Sequence, residues 1–145
     1  MTNAFAEDFK KAQELRKAIK EAETEETKKA TRKAYREFRE ELEEKEPAYT
    51  RFFRDYEDAQ KRGNACIDFN ECIWEDQIPK MIADLKALGI KEFTLSSTYS
   101  SIVKTVWVFQ QNGCSLEGME EINGHCKNYE TGDYEKVPAF KFKVN

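Results

Sequence analysis

The first 62 residues contain no glycine, cysteine, tryptophan or histidine; all six glycines, all four cysteines, both tryptophans and the single histidine fall from Gly63 onward. The seam at Gly63 separates a charge-laced helical stretch, residues 1–62, from a compact mixed domain, residues 63–145. The chain also lacks any apolar run near the roughly 18 residues of a membrane span, and its N-terminus, MTNAFAEDFKK, mixes acids and bases unlike a secretory signal. No membrane association and a cytoplasmic location are the expectation. A single histidine restricts nucleophilic catalysis to one base. A Walker lysine loop, a dinucleotide glycine fingerprint and an HExxH helix are all missing. The reading is therefore of a non-enzymatic protein without cofactor or metal.

A hydrophobic fraction of 39% and a charged fraction of 36% limit 145 residues to one modest core, while ten phenylalanines and two tryptophans argue for a folded chain. Residues 1–62 carry 16 acids and 16 bases, leaving 12 of the 28 acids and 8 of the 24 bases for the rest, so the second half holds the whole net charge of −4. Neither bulk attraction to nucleic-acid phosphates nor mimicry of a strongly acidic polymer follows from that balance.

Phe5, Phe9, Ala12, Leu15, Ile19 and Ala22 recur at spacings of three and four, predicting a first helix. A bend is expected over 23–29, with Thr24 as the N-cap ahead of Glu25 and Glu26. A second stripe, Thr31, Tyr35, Phe38, Leu42, Lys45, Tyr49, Phe52, Tyr56 and Ala59, follows heptad a and d steps like a coiled coil. Pro47 predicts a kink or restart at Glu46-Pro47, and Gly63 the helix end. Lys28, Lys29, Arg32, Lys33, Arg36 and Arg39 form a basic ridge. It reads either as a partner or phosphate surface, together with Tyr35, Tyr49, Phe52 and Tyr56, or as a solvated face supported by acids four residues from bases, such as Glu25 to Lys29, Lys33 to Glu37 and Arg36 to Glu40. The aromatic stripe awaits a cover: the first helix, the second half, or another copy in a homodimer.

In the second half, a strand over 64–70, a helix from Trp74 to Leu88, a strand over 91–96 and a helix from Ser100 or Ser101 to Gln111 are expected. Strands near 115–122 and 137–144 follow, with Asn123-Gly124 as the hairpin turn and Thr131-Gly132 as a weaker one. This order implies an α+β fold: a helical arm or helical hairpin, then a small mixed domain with a three- to four-stranded sheet.

Cys66, Cys72, Cys114, Cys126 and His125 lack the paired spacing of a zinc site, and four reduced cysteines in a buried core are the expectation. A Cys114–His125 dyad across the hairpin is the remaining catalytic arrangement. Ser96, Ser97, Thr98, Ser100 and Ser101, around Tyr99, sit between a strand end and a helix start; they suit either an anion or helix capping.

The segment Trp74 to Gly124, through GIKEFTLSS, WVFQQNGC and LEGMEEING, resembles an uncharacterised family of small accessory proteins on mobile and conjugative elements of anaerobic gut bacteria. The resemblance implies a protein-binding inhibitor of host defence, such as an anti-CRISPR docking on a nuclease or ribonucleoprotein. Two alternatives stand beside it: a nucleic-acid-binding regulator of element transfer that uses residues 28–39, and a small hydrolase or nuclease.

Overall fold

A computed structural model describes residues 5–45 and 47–145, apart from the Pro47 and Ala48 side chains. The fold is mixed α+β. Among the described residues it has five α-helices, α1 (Ala6–Glu21), α2 (Glu25–Glu43), α3 (Pro47–Lys61), α4 (Ile78–Ala87) and α5 (Ile102–Gln111). Four strands, β1 (Ile67–Phe69), β2 (Glu92–Leu95), β3 (Cys114–Lys127) and β4 (Tyr134–Val144), form one sheet in the order β1-β2-β4-β3. The chain divides into two compact units, Met1–Phe53 and Arg54–Asn145.

In the first unit, the bend narrows to Ala22–Thr24, where Thr24 accepts a hydrogen bond from the Thr27 backbone N–H at 3.1 Å, as an N-cap does. α1 and α2 pack side by side: Arg16 donates to the Tyr35 hydroxyl at 3.1 Å and Lys11 lies over the Phe38 ring. The Phe5 ring meets Tyr49 and Phe53, and Tyr49 donates to Asp8. Glu46, half of the expected kink, lies outside the described residues. α3 starts at Pro47, where a missing backbone N–H costs no helical hydrogen bond.

The ends of α3 and α4 close in the same way. Gly63 and Gly89 have φ of +78° and +72°; Asn64 N–H reaches Ala59 O and Ile90 N–H reaches Leu85 O, both at 3.0 Å. β1 pairs parallel to β2 through the α4 crossover, and β4 pairs antiparallel to both β2 and β3. Ile67, Phe69, Phe93, Leu95 and Phe142 share one sheet face, where α4 and α5 pack. The Phe93 ring touches Phe69, Phe109 and Phe142 at centroid distances of 5.1–5.5 Å, the centre of this core. The opposite face carries Asp68, Thr94 and Lys141.

The hairpin expectation requires a correction. β3 continues through Asn123-Gly124, with an irregular register against β4 between Asn123 and Lys127, and the reversal falls at Asn128–Asp133, with Gly132 at φ +77°. Gly124 serves the sheet instead: a Cβ there would meet Val137 Cγ1 at 3.0 Å and Glu135 O at 3.2 Å.

Candidate functional site

The basic ridge forms on α2 as the helical spacing dictates. Lys29, Arg32, Lys33 and Arg36 are exposed, and Lys28 and Arg39 are half-buried. Lys28 pairs with Glu25 at 3.8 Å and Lys33 with Glu37 at 3.9 Å, so acids on the same helix moderate the ridge. Of the aromatics grouped with it, Tyr49, Phe52 and Tyr56 are buried on α3, while Tyr35 sits on α2 itself between Arg16 and Arg39, so none of the four presents an open aromatic face. Phe53, outside the heptad stripe, is also buried, under Arg39.

The hydroxyl loop after β2 splits in two. Ser96 donates to Asp68 at 2.7 Å and Ser97 to the Glu71 carbonyl at 2.7 Å, so both are spent inside the protein. Thr98, Ser100 and Ser101 are exposed, and Ser101, at the N-cap position of α5, makes no side-chain cap bond. The Tyr99 hydroxyl accepts from the Ile73 N–H at 3.3 Å and lies 2.9 Å from Thr105 Oγ1, stitching the segment before α4 to α5.

The cysteines are not a buried set. Cys114 is buried and Cys66 half-buried, but Cys72 and Cys126 are exposed, because they lie in the loop after β1 and near the open end of β3. All four are free thiols. Burial pushes the Cys66 thiol up to about 11 despite the nearby Lys141 cation, and Cys114 likewise to about 11. The Cys114–His125 dyad is excluded by geometry: the two residues stand near opposite ends of the long strand β3. His125 instead faces Asp58 at 3.4 Å. No group of three potential metal ligands occurs among the described residues. No helix among them is long and apolar enough to cross a membrane.

Two features escaped sequence reasoning. The first is a polar cluster at the end of α3. The Arg62 side chain, 3% exposed, lies 3.6 Å from the fully buried Asp68 carboxylate and 3.5 Å from Asp58, and donates to the Asn123 carbonyl at 2.8 Å. Thr94 and Ser96 donate to the two Asp68 oxygens, both at 2.7 Å. Asn64 clamps the Asn123 backbone from both sides, donating to its carbonyl at 3.0 Å and accepting its N–H at 2.8 Å. Every oxygen of Asp68 is engaged, so the cluster acts as a lock between α3, β1, β2 and β3 rather than as a reactive carboxylate.

The second is an apolar surface. Trp74, Val103 and Trp107 are 65%, 77% and 58% exposed. The Ile73–Tyr99–Thr105 bonds and a Glu75–Lys104 ion pair at 3.4 Å hold the Trp74 segment against the start of α5, where Val103 and Trp107 share a face one turn apart. Both tryptophans are visible in the sequence, but the apolar residues of α5 do not by themselves show which side is covered. Met119 and Tyr129 are exposed on β3 and in the β3–β4 turn.

A two-layer α+β unit with a buried polar lock and an exposed tryptophan surface defines a small folded module. Residues 51–144 match the family described as Domain of unknown function (DUF7698), and the chain belongs to that family. The match covers α3 from its second turn onward and all of the sheet, and it leaves out α1 and α2. No curated protein and no solved structure matches the chain.

Proposed function

We propose that this protein is a non-enzymatic binding protein that docks on a larger protein or ribonucleoprotein. The observation that carries the reading is the joint exposure of Trp74, Val103 and Trp107 on a rigidly tied surface. Tryptophan dominates the energetic centres of protein interfaces, and a contiguous apolar patch on a folded surface marks an interaction site. The N-terminal helices act in this reading as a helical arm that carries its own basic surface, the α2 ridge. The resemblance of Trp74–Gly124 to accessory proteins of mobile elements supports a defence nuclease, including a CRISPR effector, as the partner, in the cytoplasm of the host. Co-expression with a panel of CRISPR nucleases and restriction enzymes tests this. The expected result is reduced interference and co-purification with one effector, both lost in the Trp74→Ala/Trp107→Ala variant. Undisturbed cleavage and no co-purification across the panel overturn it.

A second reading rests on a different observation, the exposure of Lys29, Arg32, Lys33 and Arg36 along one side of α2. It makes the chain a nucleic-acid-binding regulator of element transfer. Affinity then falls steeply with salt, with a slope of about −0.9 per phosphate neutralised on duplex DNA. Absence of binding at low salt removes it.

A further inference from the structure

We infer that the Trp74, Val103 and Trp107 surface receives a cationic amphipathic segment of a partner protein, an apolar anchor flanked by lysine or arginine; this rests on the docking reading above. The charges around the patch select the occupant. Glu75 and Asp76 are exposed in the short stretch after Trp74, and Lys104 is the base that α5 places beside Glu75. Lys104 is committed to Glu75 in an exposed pair, which leaves the rim negative. The sign agrees with the second half as a whole, which holds the entire net −4 of the chain.

A second copy fits this surface poorly on two counts. A symmetric pair sets the same acids against each other, and like charges juxtaposed at an interface are repelled. The exposed parts of two tryptophans and a valine offer only ~400 Å² per copy, from the ~150–250 Å² of a whole aromatic side chain. A symmetric contact would then bury ~800 Å², short of the ~1,200 Å² of a stable interface. A short helix or extended segment needs less area. Its basic residues gain from the acidic rim while its apolar side chains cover the indole rings, the arrangement of helix-in-groove recognition.

Trp74 and Trp107 are the only tryptophans, so indole fluorescence, excited selectively beyond the tyrosine band, reports on this surface alone. The experiment titrates the full chain with a tryptophan-free amphipathic peptide of leucine and lysine, its leucine and glutamate counterpart, and oligolysine. The expected result is a saturable blue shift with the leucine and lysine peptide, and binding of the other two weaker by roughly tenfold or more. The Glu75→Gln/Asp76→Asn variant, with unchanged circular dichroism, loses that preference. Equal response to both amphipathic peptides, equal response to oligolysine, or no shift with any of them overturns the inference. So does a blue shift that grows with protein concentration alone, the signature of self-association. The docking reading is judged separately: if the acid-neutralised variant still co-purifies with a target that the double tryptophan variant loses, docking stands and the cationic segment falls.

Discussion

Asp68 shows how one residue reaches across the second unit. Its carboxylate receives hydroxyls from Thr94 and Ser96 and faces the Arg62 guanidinium, all out of solvent. Arg62 Nε is the one buried side-chain nitrogen or oxygen without a hydrogen-bond partner among the described residues, so this guanidinium already bears an unmet donor. Replacing Asp68 by Ala strands a buried cation and two hydroxyls; the expected loss is about 3–5 kcal/mol in chemical denaturation. Asp58→Ala removes only a half-exposed partner and costs about 1 kcal/mol or less. The cysteines provide a second test. Cys72 and Cys126 are expected to react with iodoacetamide at pH 7.5 well before Cys66 and Cys114, read by mass spectrometry of the labelled peptides. Because burial raises the Cys66 and Cys114 thiols from 9.0 to about 11, the unfolded chain loses these protons first as pH rises. Folding stability therefore falls between pH 9 and 11 and is fully retained below 9, which urea midpoints at pH 8 and 10.5 check.

At the scale of elements, local chemistry explains most boundaries. Thr24 starts α2, and Gly63 and Gly89 end α3 and α4 through positive φ, as their sequence positions imply. Thr24→Ala is expected to cost about 1 kcal/mol, and Gly89→Ala ~1–2 kcal/mol from backbone strain alone, since no atom lies within 4 Å of the new Cβ. Thermal unfolding of each variant measures both. α3 starts at Pro47 and Ser101 stands at the N-cap of α5, as their sequence positions also imply, whereas the misplaced hairpin shows why a local signal fails. Asn-Gly favours a tight turn, but here Asn64 and Arg62 bind the Asn123 backbone and Gly124 admits the neighbouring strand at close range. Contacts from residues about 60 positions away outweigh a dipeptide preference. The exposed tryptophans were hidden by the opposite error: Val103 and Trp107 share the helical periodicity of a core face, and only the packing of Thr105, Val106 and Phe109 inward shows which side is covered.

For the whole molecule, the Phe69, Phe93, Phe109 and Phe142 cluster joins β1, β2, β4 and α5. Phe93→Ala is expected to cost about 3–5 kcal/mol, a large part of the ~5–15 kcal/mol that holds a domain folded. Urea denaturation with near-ultraviolet circular dichroism measures that loss. The sequence by itself determined the mixed α+β class, the order of helices and strands, the helical N-terminal stretch and the ends of α3 and α4. Those properties rest on periodicity, capping and backbone freedom, which act between near neighbours. Tertiary structure decided the strand order β1-β2-β4-β3, the passage of β3 through Asn123-Gly124, the burial of Tyr49, Phe52 and Tyr56, and the exposure of Trp74 and Trp107. Each depends on which distant surfaces meet, and composition and spacing do not encode that choice one residue at a time.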